Sequence, residues 1–413
     1  MAWSPDGWTV ASAGFDKMIW LWEVERGRYR TALQGHTARM YKIAFTPDSR
    51  SLLGGSEDSA LRVWDVASGQ CVRIMQGYAV SFYDIDWSPD GTHLVSAGPD
   101  ALVIIWDLVG GTPSRALRGH NWVVHGVGWS PDGRLLASCG WDNVIRLWDT
   151  ATGASVHIFR DPDDVHIAYY SVAWSPDGQL LASGSYMRGV QMWDVTARTR
   201  RWVGRTQPTK IRLVAWSPDG TLLASCGDDG SVHLWEAADG TLLQSLQGHR
   251  GMVASVAWSP DGAWLASGGG GRSHGELFVW DAQSGQRMRV FAKHPGVVYA
   301  VAWSPSGDRL VSGDSDGMLR WWDVQSEECL MQREGHQGAV QSLRISPHTQ
   351  NLASCGEDGT IKLWDVRSAE LLRTLRRDRP YERLNITGTR GLTEAQRATL
   401  QALGAIEADI PPL

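Results

Sequence analysis

The chain has 413 residues and a formal net charge of −6, with acids and bases interspersed and 20% of residues charged. That leaves no basic footprint for nucleic acid, and no apolar run approaches the roughly 18 residues of a membrane span. Of the five cysteines, Cys139, Cys226 and Cys355 fall in the same Ala-Ser-Cys-Gly context, cannot pair locally, and read as buried thiols of a cytoplasmic protein.

The chain opens on Met1-Ala2-Trp3 and then at once on Ser-Pro-Asp-Gly, so no secretory leader is expected. Trp-Ser-Pro-Asp-Gly stands at 3–7, 87–91, 129–133, 174–178, 216–220 and 258–262, with weaker copies from Phe45, Trp303 and Ile345. The nine anchors are spaced 42 or 45 residues apart, the signature of stacked supersecondary units. Pro-Asp-Gly after an apolar run marks a tight turn, because Pro fixes φ and Gly accepts a positive one.

One copy, residues 249–291, shows the plan. MVASVAW, AWLASGG, ELFVWD and QRMRVF are β-branched or alternating runs separated by turn residues, which predicts an antiparallel four-stranded meander. Two inserts account for the spacings of 45. One is Arg160–His166, before the fifth repeat. The other is the Gly-rich 268–275, read as a mobile loop between the second and third strands of the seventh.

A second marker runs in phase. Trp-Asp or Trp-Glu closes the third strand at Trp22, Trp64, Trp106, Trp148, Trp193, Trp235, Trp280, Trp322 and Trp364. Gly-His precedes the first strand at His36, His120, His249 and His336, with Lys293-His294 as a variant. These two markers, nine times in register, resemble the WD-repeat β-propeller family over residues 1–376. The resemblance implies an all-β fold of four-stranded antiparallel blades packed radially around a channel. Nine period-matched copies predict a single closed nine-bladed propeller; the rival is seven blades, the commoner number in the family, plus two leftovers that would expose their packing faces to water. The resemblance also implies a His, Ser or Thr, Asp and Trp network in each blade that satisfies buried polar groups. All four members are present as His120, Ser138, Asp142, Trp148; His294, Ser312, Asp316, Trp322; and His336, Ser354, Asp358, Trp364. Gly54, Tyr78, Met187 and Gln207 interrupt it elsewhere.

Residues 377–413 are not repeat-like. Glu382–Ile386 reads as a short strand able to pair with Thr9–Ala13 and complete the first blade, whose inner strand is cut short at Met1. Thr393-Glu-Ala-Gln396 is a capping box opening a helix that ends near Gly404. This tail is similar to the C-terminal ends of WD-repeat regions in bacterial multidomain signalling NTPases of the STAND type.

Gly313-Asp-Ser-Asp-Gly317 matches the nucleophile-elbow pattern, but it sits between two predicted strands, where an elbow needs a strand-to-helix turn. The chain holds no P-loop, no His-Glu-x-x-His and no Cys-x-x-Cys. No catalytic residue, cofactor or metal is expected.

Slot comparison between repeats points to binding residues instead. Five and two residues before each anchor the chain is apolar in every copy, whereas four before it stand Tyr41, Tyr83, His125, Tyr170, Arg212, Ala254, Tyr299 and Gln341. The odd interval between the two apolar slots predicts a bulge. Tyr and Arg are hot-spot residue types, and the resemblance places this slot near the channel mouth, with Phe15, Trp141, Tyr186 and His274 on the same face. The expectation is a non-enzymatic, monomeric scaffold or sensor binding a protein or peptide there. A small-molecule or glycan receptor is the alternative, and an enzyme the third reading.

Overall fold

Each repeat becomes four strands because its turns are built from its own recurring Ser-Pro-Asp-Gly residues. In the fourth copy Ser130 Oγ donates to Asp132 Oδ1 (2.6 Å) and accepts from Leu135 N (2.9 Å), while Gly133, at φ 73°, returns its N–H to Ser130 O (2.9 Å). Ser88, Ser175, Ser217 and Ser259 make the same serine–aspartate bond. The computed structural model describes residues 1–376 except 15, 17, 37–39, 57–59, 77–80, 111, 164–166, 205–208, 272–273 and 292–293; of the side chains of 41, 56, 60–61 and 73–76 nothing is described.

Nine four-stranded antiparallel sheets result, each in chain order from an inner to an outer strand. Numbered as blades, they span 2–33, 40–76, 84–118, 124–159, 169–204, 211–247, 252–290, 298–334 and 340–376. No helix occurs among the described residues. The all-β class and the nine four-stranded blades are as the period predicts.

How the blades follow one another differs from the expected circle of nine. The inner strand Asp84–Trp87 of blade 3 packs against Val124–Trp129 of blade 4 on one side and against Val340–Ile345 of blade 9 on the other. The intervening inner strands pack in sequence from blade 4 to blade 9. One apolar cluster joins Phe82, Ile85, Trp87 and Trp106 of blade 3 to Ala353, Cys355, Ile361 and Leu375 of blade 9. Seven blades therefore encircle the axis, and blades 1 and 2 stand outside that circle. They pack on each other through Ala11, Leu21 and Leu33 against Met40, Ile43, Leu52 and Trp64.

The physical reason is that the seam carries its own bonds. Trp174, Trp216, Trp258 and Trp303 each donate Nε1 to a carbonyl on the preceding blade's inner strand. Trp87 donates to Arg344 O (3.1 Å) in the same way. The amide of Val124 bonds Gly98 O, and the amide of Phe82 bonds the matching Gly356 O (3.2 Å).

Blade 1 has the shortened inner strand that the sequence predicts, Ala2–Trp3 paired with Val10 and Ala11. The ring itself closes between blades 9 and 3, each a four-stranded sheet of its own repeat. The proposed strand Glu382–Ile386 and the helix after Thr393 lie outside the described residues.

Half of the Gly-rich insert is ladder: Gly268, Gly269, Gly270 and Gly275 lie in strands. Strands Trp264–Gly270 and Gly275–Asp281 run through it, pairing Gly269 with Glu276 and Gly270 with Gly275. A Cβ on Gly269 or Gly275 would stand 2.2 Å from a backbone oxygen, so glycine is what lets the extra rungs form.

Candidate functional site

In every ring blade from the fourth to the ninth the ladder slips between the slots five and three before the anchor. Val124 pairs with Gly140 and Gly126 with Cys139, leaving His125 as the extra residue of a bulge. Tyr170, Arg212, Ala254, Tyr299 and Gln341 are bulged in the same way. The residue before the bulge is fully buried in the blade junction, for example Phe82, Val124, Tyr169 and Val340 at 0%. The bulged residue is freed from the ladder and half-buried at the axis. The bulge thus converts a core slot into one that faces the channel.

Six of the expected residues line one cavity of about 100 Å³ at this end: Tyr83, His125, Tyr170, Arg212, Tyr299 and Gln341. Aromatic contacts tie three of them, Tyr83, His125 and Tyr170, together. Tyr83 stacks on His125 (4.6 Å, 11°), and His125 meets Trp141 (5.2 Å) and Tyr170 (4.9 Å). Trp122 packs edge-on to Trp141. Trp141 is therefore in the cluster. Tyr186 is exposed on the rim beside it, its backbone bridged to Lys210. His274 does not line the cavity. Tyr41 belongs to blade 2, outside the ring, and its side chain, like all of Phe15, lies outside what is described.

Lys210, Asp84 and Arg344 also line the cavity and were not expected. Lys210 Nζ sits 3.8 Å above the centre of the Tyr170 ring. Burial, reinforced by Arg212, lowers its pKa to about 8. Arg212 is ion-paired to Asp228. Burial, then Lys210 and Arg212, push His125 down to about 3, so its ring is neutral near pH 7. Deeper, Asp84 Oδ1 accepts from Ser342 Oγ (2.8 Å) and Arg344 Nη2 (3.0 Å), and Asp84 Oδ2 accepts from Val127 N (3.2 Å). Asp86 Oδ2 accepts from Trp129 N (2.9 Å), and burial raises Asp86 to about 6 despite Arg344. A signal for this cluster was present: the slots three and one before the anchor hold small or apolar residues in most copies, yet Asp84, Asp86 and Arg344 in three of these positions.

The opposite end of the channel is a wider cavity of about 650 Å³, lined by the repeated tryptophans and prolines such as Trp129, Trp174, Trp216, Pro176 and Pro218.

The catalytic look-alikes are structural. His120 bonds Asp142 (2.9 Å) through Nδ1 and Ser138 Oγ (2.6 Å) through Nε2, and Ser138 Oγ also accepts from Trp148 Nε1 (2.7 Å). His336, Asp358, Ser354 and Trp364 repeat it. His294 and Trp322 meet on Ser312. Blade 7 has a version the sequence reading missed, in which Glu276 takes the aspartate's place beside His249 (3.2 Å). In blade 2, where Gly54 replaces the serine, His36 Nε2 contacts Gly54 O (3.1 Å). Tyr78 and Gln207 lie outside the described residues. Ser315 lies between strands Arg309–Asp314 and Met318–Asp323, where its Oγ accepts from Val297 N (3.1 Å), with no helix following. Burial pushes the thiols of Cys139, Cys226 and Cys355 well up. Among the described residues no group of three or more His, Cys, Asp or Glu is placed to hold a metal, and no helix is long and apolar enough to cross a membrane.

The family model described as "WD domain, G-beta repeat" matches eight times, at 27–65, 69–107, 111–149, 153–194, 199–236, 240–281, 285–323 and 327–365. Each match ends on the Asp or Glu after a third-strand tryptophan. No curated protein matches the chain.

Proposed function

The chain belongs to the WD40-repeat family, and from that premise we propose that its seven-bladed ring is a non-enzymatic scaffold or sensor that binds a peptide segment of a partner protein at the mouth carrying Tyr83, His125, Tyr170, Lys210, Arg212 and Tyr299. WD40 repeats generally mediate protein–protein interaction. The single observation that carries the site is the bulge. It removes one residue per blade from the ladder in blades 4 to 9, and five of those six residues, His125, Tyr170, Arg212, Tyr299 and Gln341, are aromatic or polar. At about 100 Å³ the mouth is smaller than the roughly 300–1,000 Å³ of small-molecule pockets, which favours a side chain of a larger partner. Lys210 and Arg212 on an aromatic wall suit an acidic segment bearing an aromatic residue.

A small-molecule or glycan reading is better served by the opposite cavity, whose 650 Å³ and tryptophan lining fall in the ligand range. One capture experiment separates the two. Partners retained by the intact chain are compared with those retained by the Tyr83→Ala, Tyr170→Ala, Tyr299→Ala triple variant. Loss of a specific protein, with the melting curve unchanged, supports the peptide platform; undiminished capture refutes it.

A further inference from the structure

Every junction between consecutive blades is made from the same two half-faces. The approach face of a blade presents a second-strand aliphatic and the third-strand tryptophan, as with Leu136 (0%) and Trp148 (1%). The onward face presents the next residue of the second strand and the residue before that tryptophan, as with Ala137 (1%) and Leu147 (2%). Covered by a neighbour, these positions are buried throughout the ring, from Leu94 and Trp106 in blade 3 to Ala353 and Leu363 in blade 9.

The two blades outside the ring break this rule at their outward ends only. Blade 1 buries its onward residues Ala11 and Leu21, and blade 2 its approach residues Leu52 and Trp64, all at 0%, because they meet each other. No described residue seats on the approach face of blade 1 as a neighbouring blade would: Val10 is half-buried, and Trp22 is 40% exposed. The same holds among the described residues for the onward face of blade 2, with Leu53 and Val63 half-buried. Trp22 nevertheless already holds the junction pose, its Nε1 donating to Ser12 Oγ (3.0 Å) as Trp148 donates to Ser138. Little side-chain ordering remains for a neighbour to impose.

We propose that blades 1 and 2 are an assembly element in which the onward face of blade 2, Leu53 and Val63, seats on the approach face of blade 1, Val10 and Trp22, of a second copy of this chain. Three things on the molecule identify that occupant. The two open faces are the complementary halves of one junction. One chain carries both, so a single head-to-tail contact covers both at once. The blade 1–blade 2 junction within the chain shows these sheets making that contact. A head-to-tail contact grows until it closes. Two blades per chain would close at roughly six or eight blades, within the usual range of propellers, which takes about three or four copies. The sequence reading expected a monomer; the two open half-faces are what argue for an assembly instead.

The test is the mass of the full chain at micromolar concentration by light scattering or native mass spectrometry. Three or four times the single-chain mass is expected. Trp22→Arg and Leu53→Arg, each at a position already partly exposed, should each reduce the chain to a monomer while leaving the melting of the ring unchanged. Mixed in equal amounts the two variants should form a 1:1 dimer and nothing larger, since one intact junction remains between them. A monomeric wild-type chain overturns the proposal, as does an assembly that survives both substitutions. If either variant proves misfolded, amide exchange of 9–23 and 51–65 in the wild-type chain decides. Protection that rises with protein concentration supports the proposal. Protection independent of concentration but lost on deleting 377–413 overturns it in favour of the tail as occupant.

Discussion

Trp87 Nε1 donates to the carbonyl of Arg344 across 257 residues of sequence, at 3.1 Å, and this bond sits where Trp216 bonds Ala173 O between consecutive blades. Beside it the Arg344 guanidinium reaches Asp84, whose carboxylate also takes the hydroxyl of Ser342 and the amide of Val127. The seam is thus held by an ion pair with satisfied hydrogen bonds, where other junctions use serine–amide bonds such as Ser171 to Val214. Arg344→Ala leaves Asp84 and Asp86 without their cation. Breaking a buried pair from one side costs about 3–5 kcal/mol; with the Arg344 side chain 30% exposed, the low end, about 3 kcal/mol, is expected. Chemical denaturation checks it, with Arg320→Ala in blade 8 as an in-blade comparison.

Restoring the family's serine in blade 2 should harm the protein. A Cβ on Gly54 would stand 2.5 Å from Met40 Cε and 2.9 Å from Trp64 Cζ3, because those side chains have filled the space of the missing hydroxyl. Met40 can move, but Trp64 is fully buried and cannot without disturbing the blade 1–2 junction. Gly54→Ser is expected to cost about 1–3 kcal/mol, as overpacking does. The readout is the exchange rate of amides in Met40–Phe45 and Ala60–Asp65. By contrast Ser138→Ala strips from His120 and Trp148 the hydroxyl they share and should also destabilise, by about 1–3 kcal/mol.

The repeat period, the strands, the bulge and the polar tetrads were all legible because each is local: Ser130, Asp132 and Gly133 make their turn whatever lies next door. The number of blades in the ring was not, because identical junction faces permit any neighbour. The readable clue was non-local. Asp84 and Arg344 break small-residue slots with opposite charges in blades 3 and 9, and such charges are stable near the axis only if those blades adjoin. The same holds at the mouth. Tyr83, His125 and Tyr170 were found from one slot, whereas Lys210 lies outside it and enters only because the chain bridges to Tyr186. Tyr41 carries the slot's signature on a blade that stands outside the ring.

His125 makes the fold acid-sensitive. Its folded value of about 3 lies below the usual value near 6.5, so the unfolded chain binds a proton that the folded chain refuses. The stabilisation is complete above pH 6.5 and falls away as pH drops from there toward 3, by at most about 1.4 kcal/mol per pH unit. Asp86, raised to about 6, works the other way between its usual value and 6, because the folded chain holds that proton more tightly. Replacing His125 with Gln should therefore shrink the loss of denaturant midpoint between pH 7 and pH 5, and Asp86→Asn should enlarge it. Equal losses in all three proteins would refute both assignments.

Lys210 sets the opposite limit, on binding. Its pKa of about 8 means that the ammonium over the Tyr170 ring is charged at pH 7 and largely neutral by pH 9. An acidic partner segment seated there is attracted to the charged form only, so binding raises the value and affinity must fall as pH climbs through 8. Arg212, paired with Asp228, is the second cation at the mouth and sets a floor. For a partner captured at the mouth, the affinity is expected to drop by about tenfold between pH 7 and 9, each tenfold being about 1.4 kcal/mol. Lys210→Met should bind weakly at pH 7 and show no further loss at pH 9, whereas Lys210→Arg should bind well at both. A wild-type affinity flat across this range would mean that the partner brings no anion to Lys210, and would leave the aromatic wall as the whole of the site.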